Sequence, residues 1–485
     1  MMVSTYKILE SAAQSWPEHI AIIDMDGSIS YLQLYQQCEK LKTVLQQAGV
    51  SQGMGLGVMG RNSTAFVAMM FAGMACGATV LPLSHQLKQA EIEQILKHTE
   101  LHAIIDDCSG TIPINGQATS IRFLQQKLRL AWTDISREQS ITQLADAALI
   151  RYTSGTTGTS KGVVLTHASI QERVDITQVA LGLTPNDAVL WVLPMAFHFL
   201  VTILVYIRSG VKIIVTKDLL AQTLIDTANQ HKATMLYASP IHFRLLAADL
   251  SDKSMDTLKY AISTSSGIPI DVADKFKVRF NLPVTQAYGI IEAGLPLLDT
   301  LSGNTIPQSV GFPIADFSVA LLNDDDELVI DGEVGRLAIR GPGMFDAYLK
   351  PWQTAEQLMD NGWFMTGDLA VRESDGRVTL CGREKTMINI SGNKVFPEEV
   401  ELILNSHAEI INSHVFSREH ALMGEIVAAE VILTEGAVLD VESVLQFCRV
   451  QLSTFKVPQQ IKHVTEIVHT QSGKIKRSIA FANHE

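Results

Sequence analysis

The chain has 485 residues, 47% of them hydrophobic and 18% charged, with a formal net charge of −13. This length exceeds what one hydrophobic core organises, so we expect two or more domains, and the apolar content excludes a disordered chain. The acidic balance argues against non-specific nucleic-acid binding, which needs a cationic surface.

The cysteines are widely scattered, at Cys38, Cys76, Cys108, Cys381 and Cys448. They form no CxxC pair and no Cys/His cluster, so neither a zinc site nor a disulfide framework is indicated. The first ten residues lack a basic segment followed by an apolar stretch. We therefore predict no signal peptide and a cytoplasmic protein.

Helical and strand-like patterns alternate over residues 1 to about 145. The predicted helices are Tyr31 to Ala48, Ser63 to Ala75 and Glu91 to His98, and the predicted strands are Leu56 to Met59, Gly77 to Leu83 and Ala103 to Ile105. Residues 106 to 117 are polar and are predicted to form a loop. Such alternation indicates a mostly parallel sheet with helices on both faces.

The alternation continues to about residue 300, with a predicted helix and three strands at His167 to Leu181, Val211 to Val215, Met235 to Tyr237 and Tyr260 to Ser263. Between them, residues 188 to 207 carry no charge and are long enough to span a bilayer, which takes about 20 residues. Pro194 and His198 interrupt this run, and both are costly in lipid. We therefore predict a buried strand that ends at Pro194, followed by a helix, and no membrane span.

The pattern changes in the last third of the chain. Three short strands are predicted at Phe317 to Leu322, Leu328 to Ile330 and Arg336 to Ile339, which indicates a β-rich subdomain. After a shift in composition at Gly382, two helices are predicted at Glu398 to Asn405 and Val441 to Leu452. We predict an α/β protein whose large N-terminal domain has doubly wound lobes plus the β-rich subdomain, followed by a small mobile α+β C-terminal domain.

Residues 152 to 162 read Tyr-Thr-Ser-Gly-Thr-Thr-Gly-Thr-Ser-Lys-Gly. A loop of glycine and small hydroxylated residues leaves its backbone N–H groups accessible to an anion, and Lys161 adds a positive charge. The stretch is not a Walker A loop, because Gly162 follows Lys161. It predicts a polyphosphate-binding loop, with a flexible linker as the structural alternative.

This loop resembles the signature of the adenylate-forming superfamily, which includes acyl- and aryl-CoA synthetases, luciferases and peptide-synthetase adenylation domains. Ser160 stands where the signature has proline. Four later stretches resemble further motifs of the superfamily in the same order: residues 286–292, Gln-Ala-Tyr-Gly-Ile-Ile-Glu; residues 366–368, Thr-Gly-Asp; residues 382–401, which begin Gly-Arg-Glu-Lys; and residues 473–477, Gly-Lys-Ile-Lys-Arg.

The resemblance implies that this chain uses ATP and Mg²⁺. The implied nucleotide-binding residues are Thr153, Ser154, Gly155, Thr156, Thr157, Gly158, Lys161, Ser266, Gly267, Ala287, Tyr288, Gly289, Asp368, Arg383 and Lys474. Tyr288 would stack on adenine, Glu292 would bind the metal, and Asp368 would accept the ribose hydroxyls. Catalytic roles are implied for Lys474, Glu292, Thr153 and His198, with Lys474 stabilising charge at the α-phosphate.

The resemblance also implies how the acid and the thiol are bound. The acid pocket would be lined by His198, Phe199, Thr202, Tyr237, Ser239, Ser265 and Ile290. Amino-acid-activating relatives carry an aspartate near His198, and residues 188 to 207 contain no acidic residue, so an amino-acid substrate is disfavoured. Lys385 would be the hinge between domains 1–384 and 385–485, and Gly392 would line the thiol tunnel.

The implied function is ATP-dependent activation of a fatty or aryl carboxylic acid to an acyl adenylate, followed by thioester formation with CoA. An alternative acceptor is the phosphopantetheine arm of an acyl carrier protein. A second alternative is a non-catalytic nucleotide-binding homologue, because Ser160, Ile291 and Asn389 replace residues usual in the superfamily.

Overall fold

The computed structural model describes residues 4–110, 112, 118–152, 161–299, 306–390, 393–420, 424–469 and 475, and the side chains of residues 389 and 394 are not discussed. The α-helices of this part are α1 (Tyr6–Ser15), α2 (Tyr31–Gln47), α3 (Thr64–Ala75), α4 (Gln89–Thr99), α5 (His167–Leu181), α6 (Met195–His198), α7 (Leu204–Arg208), α8 (Ala221–His231), α9 (Pro240–Ala247), α10 (Ile270–Phe280), α11 (Ala355–Leu358), α12 (Pro397–Asn405) and α13 (Val441–Gln451).

The strands come in three groups along the chain. The first group is β1 (Ile20–Asp24), β2 (Gly27–Ser30), β3 (Gly55–Gly60), β4 (Thr79–Ser84), β5 (Ala103–Asp106), β6 (Ala118–Phe123), β7 (Gln126–Trp132), β8 (Ala147–Tyr152) and β9 (Gly162–Thr166). The second is β10 (Ala188–Trp191), β11 (Lys212–Val215), β12 (Met235–Ala238), β13 (Tyr260–Ser263), β14 (Val284–Ile290), β15 (Gly294–Leu298) and β16 (Ser309–Pro313). The third is β17 (Ser318–Leu322), β18 (Val334–Arg340), β19 (Ala347–Tyr348), β20 (Gln353–Thr354), β21 (Phe364–Arg372), β22 (Val378–Arg383), β23 (Ile388–Ile390), β24 (Asn393–Val395), β25 (Ile410–His420), β26 (Gly424–Leu433) and β27 (Gln460–His463).

The larger sheet has the strand order β17-β18-β21-β22-β16-β15-β14-β13-β12-β10-β11-β1-β2. Strands β1, β11, β10, β12, β13 and β14 pair in parallel, as helix-connected strands must. From β14 onward the pairing is antiparallel. The predicted β-rich subdomain is therefore continuous with a parallel sheet.

The second sheet has the order β20-β19-β9-β8-β4-β3-β5-β7-β6, with β5, β3, β4 and β8 in parallel. The predicted doubly wound lobes are confirmed, but they are interleaved in sequence. The first two strands of the chain, β1 and β2, do not join the sheet of β3, β4 and β5. They lie at the edge of the larger sheet instead. The hairpin of β6 and β7 was not predicted either.

Several predicted helices begin at side chains that cap them. Ser30 accepts from the backbone N–H of Gln33, whose side chain accepts from the backbone N–H of Ser30, so α2 begins with a capping box. Thr166 accepts from the backbone N–H of Ser169 at the start of α5. The predicted starts of both helices are confirmed.

The strand predicted at Leu328 to Ile330 is wrong. Only one isolated bridge, Leu322 to Leu328, forms there. Leu328 and Ile330 are each 70% exposed. Val329 alone packs against the core, its N–H donates to the Leu321 carbonyl at 2.9 Å, and the backbone turns at residues 331 to 332 before β18 begins.

The apolar run of residues 188 to 207 folds into the core. It forms the buried strand β10, then α6, a π-helix over Phe199–Ile203, and α7. Helix α3 is buried nearly all round and packs on β3, β4 and α2, as an apolar helix inside a large core should. No helix in the described ranges is long and apolar enough to cross a membrane.

The C-terminal residues build a core of their own. Strands β25, β26 and β27 form a sheet, α12 packs against β25, and α13 packs against α12. The cluster of buried residues includes Ile388, Val400, Val415 and Val444. This is the predicted small α+β unit.

Arg173 of α5 joins segments that are far apart in sequence. It is 2% exposed, and its Nε donates to the carbonyl oxygen of Gly343 at 2.8 Å. Its Nη1 donates to the Ile291 carbonyl at 2.9 Å, and its Nη2 to the Glu292 carbonyl at 3.4 Å. Burial lowers the pKa of Arg173 to about 10, so the cation persists at neutral pH and the carbonyl dipoles solvate it.

We predict that Arg173→Met lowers the free energy of unfolding by about 3 kcal/mol, because it leaves buried carbonyl groups without a donor. Urea denaturation measures the change. Arg449→Met is the matched control, since Arg449 is an exposed residue that pairs with Glu442, and it should cost less than about 1 kcal/mol. Equal losses in the two variants would contradict the role of Arg173.

Candidate active site

Part of the predicted site lies outside the described residues. This holds for Thr153, Ser154, Gly155, Thr156, Thr157 and Gly158 of the loop, for Gly392 and for Lys474. Lys161, which ends the loop, is described and exposed. Among the remaining predicted residues, two groups of side chains contact one another. One group lies at the end of β14 and the other at the end of β10.

The first group joins three residues of the predicted nucleotide site. The Tyr288 hydroxyl, at the end of β14, donates to Oδ2 of Asp368 at 2.5 Å. Arg383 Nε lies 2.7 Å from Oδ1 of the same carboxylate. The register of β21 against β22 produces the second contact, because Asp368 and Arg383 are direct partners across that pair. Burial and the Asp368 charge raise the pKa of Tyr288, so its phenol stays protonated and donates.

Open space lies beside this group. A side chain at Gly267 or at Gly367 would meet no heavy atom within 4 Å. Ser266 and Gly289 are exposed, whereas Ala287 is buried and its carbonyl accepts from Thr264 Oγ1 at 3.4 Å. Each Asp368 oxygen has a second lone pair, so the carboxylate can accept ribose hydroxyls as well. The residues present therefore fit a nucleoside.

Glu292 lies at the other end of the described site. The Tyr348 hydroxyl donates to its Oε1 at 3.0 Å, and the Lys161 ammonium lies 4.3 Å from the Tyr348 ring centroid. Burial raises the pKa of the Glu292 carboxyl, while the Tyr348 hydrogen bond and the charges of Arg383 and Lys161 act in the opposite direction. A half-buried carboxylate beside a phosphate-loop lysine fits Mg²⁺, which takes one or two carboxylates and completes its shell with phosphate and water.

The second group is aromatic and surrounds His198. The Trp191 and Tyr237 rings stack, with centroids 5.9 Å apart and planes at 8°. The His198 ring meets both of them edge-on, at 5.7 and 6.2 Å. Trp191 and Tyr237 are buried at the carboxyl ends of β10 and β12, while His198 is partly exposed. In open parallel sheets, ligands bind at these ends.

Phe199 does not join this group. Its ring packs edge-on against Phe66 and Phe71 of α3, and it is 1% exposed. A π-helix begins at Phe199, and the assignment of this residue to the acid pocket stays a prediction. Thr202 is fully buried and donates to the His198 carbonyl at 3.2 Å, which holds the backbone there.

Three further predicted pocket residues have defined positions. Ser239 is hydrogen-bonded to Nδ1 of His242 at 2.9 Å and caps α9. Ile290 is half-buried at the end of β14. Ser265 has φ of +76°, a left-handed conformation that is uncommon for a residue other than glycine. Strain of this kind is concentrated at functional sites.

Lys385 is exposed, in a 3₁₀ turn over Glu384–Thr386. This turn separates β22 of the large sheet from β23, whose Ile388 belongs to the C-terminal core.

Sequence reasoning missed Arg173, Tyr348, Trp191 and Arg151. Each contacts residues distant in the chain, so no local motif indicated it. One signal existed for Trp191, which lies in the predicted buried strand before Pro194. An aromatic residue at the carboxyl end of such a strand is a candidate for a pocket.

Two family profiles match the chain. The AMP-binding enzyme profile matches residues 9–349, and the AMP-binding enzyme C-terminal domain profile matches residues 399–474. The first match covers well over half of the chain.

Curated relatives match over nearly the full length. The oxalate–CoA ligase of Arabidopsis thaliana is 27% identical over 97% of both chains. The 2-succinylbenzoate–CoA ligase of Bacillus licheniformis is 26% identical over 97% of this chain and 98% of its own. The long-chain-fatty-acid–CoA ligase of Yersinia pestis is 24% identical over 98% and 93%.

Solved structures share the fold. The ATP-bound MatB of Rhodopseudomonas palustris matches with a TM-score of 0.84 and 23% identity over 97% of both chains. The AMP complex of O-succinylbenzoate coenzyme A synthetase from Bacillus subtilis has a TM-score of 0.84 and 20% identity over 97% of both chains. The predicted resemblance is confirmed: the chain belongs to the AMP-binding enzyme family, and it is an enzyme of the AMP-forming acid–CoA ligase type.

Proposed function

We propose that this protein activates a fatty or aryl carboxylic acid with MgATP to give an acyl adenylate and pyrophosphate, and then transfers the acyl group to the thiol of CoA. The observation that supports this most directly is the joining of Tyr288, Asp368 and Arg383 beside open space, with Glu292 and Lys161 at the phosphate end. Catalysis in both steps would rest on positioning and electrostatics.

In the first step the chain's residues hold the nucleotide and orient the acid. Asp368 would accept the ribose hydroxyls, and the ring of Tyr288 would face adenine. Glu292 would hold the metal ion, which supplies charge neutralisation at the phosphates when bound. The carboxylate of the acid attacks the α-phosphorus, the bond to the bridging oxygen breaks, and pyrophosphate leaves.

The acid would lie against the aromatic group of Trp191, His198 and Tyr237. The partly exposed His198 ring would contact an aryl group or an alkyl chain, and the buried Trp191 and Tyr237 rings pack against it from behind. No acidic residue lies within 188–207 to pair with a substrate ammonium. This supports a fatty or aryl acid over an amino acid.

In the second step the C-terminal domain, residues 385–485, would rotate about Lys385. The rotation would withdraw Lys474 and bring the Gly392 loop to the adenylate. The thiol sulfur then attacks the acyl carbon, and AMP leaves. The relatives named above carry CoA ligase names, which favours CoA over a carrier protein as the acceptor.

We predict that Lys474→Ala lowers acid-dependent pyrophosphate release by about 10²- to 10³-fold, since it removes a cation from the developing charge. Thioester formation from CoA and a supplied acyl adenylate should be largely retained, because the first step is bypassed. Both half-reactions are measured on the purified variant.

Lys476→Ala is the matched control, two residues further along the same segment. It should leave both half-reactions near wild-type rates. If a folded Lys474→Ala variant also failed to react with the supplied adenylate, the division of labour between the two steps would be wrong. Transfer to a carrier-bound thiol but not to CoA would instead identify the alternative acceptor.

We predict that Tyr348→Phe moves the acidic limb of the pH profile to higher pH. The Tyr348 hydrogen bond helps to hold down the pKa of Glu292, which burial raises. Without it the carboxyl takes up a proton at a higher pH, and a protonated carboxyl does not bind Mg²⁺.

The measurement is the pH dependence of pyrophosphate release at limiting Mg²⁺. The shift should shrink at saturating Mg²⁺, because the metal competes with the proton. Tyr260→Phe serves as the control, since Tyr260 lies at the start of β13, away from Glu292. If the acidic limb of the Tyr348→Phe profile did not move, or moved to lower pH, the assignment of Glu292 as the metal-binding carboxylate would be wrong.

A further inference from the structure

Arg151 is a cation that the mechanism above does not use. It lies on β8, directly before residues 152 to 162 of the predicted phosphate-binding loop. Its guanidinium carbon lies 4.4 Å from the centroid of the Phe197 ring, and its Nη1 donates to the Tyr152 carbonyl at 2.6 Å. Neighbouring Ile150 and Tyr152 pack into the cluster on the other side of this strand, so Arg151 faces inward with Leu149.

No protein carboxylate compensates this charge in the described ranges, where no ion pair involves Arg151, although other arginines have such partners. The residues outside those ranges include one acidic side chain, Glu485, and the phosphate loop itself has none. Burial lowers the pKa of Arg151 to about 9, so the guanidinium is still protonated at neutral pH. Arg151 is half-buried, and a half-buried cation without a carboxylate partner among the described residues is placed to pair with an anionic group of a ligand.

The surroundings of Arg151 point to the acid rather than to the phosphates. Phe197, on which the guanidinium lies, directly precedes His198 in α6, and His198 contacts Trp191 and Tyr237. The other end of the loop has its own cation, Lys161, beside Tyr348 and Glu292. The described residues at the two ends of the loop thus place one cation near Glu292 and the other on the Phe197 ring, which is next in sequence to His198 of the aromatic group.

The backbone around Phe197 is also unusual. The π-helix Phe199–Ile203 begins directly after α6. Such segments are rare and frequently occur at functional sites, because they re-aim side chains within a helix. Here the Phe199 ring packs on α3, whereas Phe197 and His198 are half-buried and the Phe197 ring contacts Arg151.

We propose that Arg151 binds a second anionic group of the acid substrate, at the end of the molecule away from the carboxylate that is adenylated. The substrate is then a dicarboxylic acid, or a carboxylic acid that carries a sulfonate. The guanidinium has donors beyond the one given to Tyr152, and its planar fork matches a carboxylate or sulfonate. The aromatic group would contact the alkyl or aryl spacer. This inference rests on the proposed ligase function and adds the class of acid.

The test compares acids that differ only by a methyl group and a carboxylate: butyrate with succinate, pentanoate with glutarate, and 3-methylbenzoate with isophthalate. The measured quantity is kcat/KM for acid-dependent AMP formation with saturating ATP and CoA. The wild type should prefer the dianionic member of at least one pair by about 10-fold or more, as expected for a charge paired in a half-buried site. Arg151→Leu should reduce that preference to near unity, and Arg151→Lys should retain part of it.

Arg122→Leu is the matched control, because Arg122 is exposed on β6, and it should leave the preference unchanged.

Thermal unfolding provides a second measurement that does not depend on turnover. The preferred dianionic acid should raise the thermal midpoint of the wild type in the presence of ATP and should not raise that of Arg151→Leu. The variant alone should be about as thermally stable as the wild type, since it loses a half-buried charge that has no carboxylate partner among the described residues.

Three results would overturn the inference. The first is a wild-type preference for the methyl member of every pair. The second is an Arg151→Leu variant whose KM for ATP rises equally with both members, which would make the nucleotide polyphosphate the anion that Arg151 binds. The third is AMP formation with no acid of any class, which would remove the ligase function together with this inference. AMP formation from monoanionic acids alone would leave the ligase function standing and refute only the role of Arg151.

Discussion

One buried guanidinium, that of Arg173, holds together two segments that carry part of the candidate site. Arg173 donates to the carbonyls of Ile291, Glu292 and Gly343, so two segments about fifty residues apart are fixed against α5. The backbone of the metal-binding candidate Glu292 is thereby positioned before any ligand arrives. The Phe345 N–H also donates to the Glu292 carbonyl, at 2.7 Å. Preorganisation of this kind removes the cost of ordering the site during the reaction.

Strand β9 and the start of α5, which follow the predicted phosphate-binding loop, are fixed against the same segment. Asp346 accepts from the Thr166 N–H at 2.7 Å and from the Ser169 hydroxyl at 2.9 Å, at the start of α5. Tyr348 pairs with Val163 across β19 and β9, two residues after Lys161. Strand β9 is thus held against the segment whose Tyr348 hydroxyl donates to Glu292. The candidate metal-binding carboxylate, the strand that follows Lys161 and the start of α5 form one connected unit.

Much of the fold could be predicted because the signals were local. Ser30 and Thr166 mark helix starts through bonds to residues three positions away, and the apolar run of β10 ends at Pro194 as expected. The motif residues Tyr288, Asp368 and Arg383 were identified by resemblance, and the structure brings them together. What escaped prediction depends on long-range pairing. Examples are the crossing of β1 and β2 into the larger sheet and the partners of Arg173 and Tyr348. The π-helix over Phe199–Ile203 was not predicted either, because no periodic pattern in the sequence reveals such a segment.

The central claim is that the joined residues around Asp368 and Glu292 form a site for acid-dependent adenylation. The most direct test is ATP–pyrophosphate exchange by the wild-type protein across fatty, aryl, dicarboxylic and amino acids, with and without CoA. The account predicts exchange that requires both Mg²⁺ and one class of non-amino acid, and thioester and AMP formation when CoA is added. Exchange with no acid in the panel, or ATP cleavage that is independent of the acid, would contradict it.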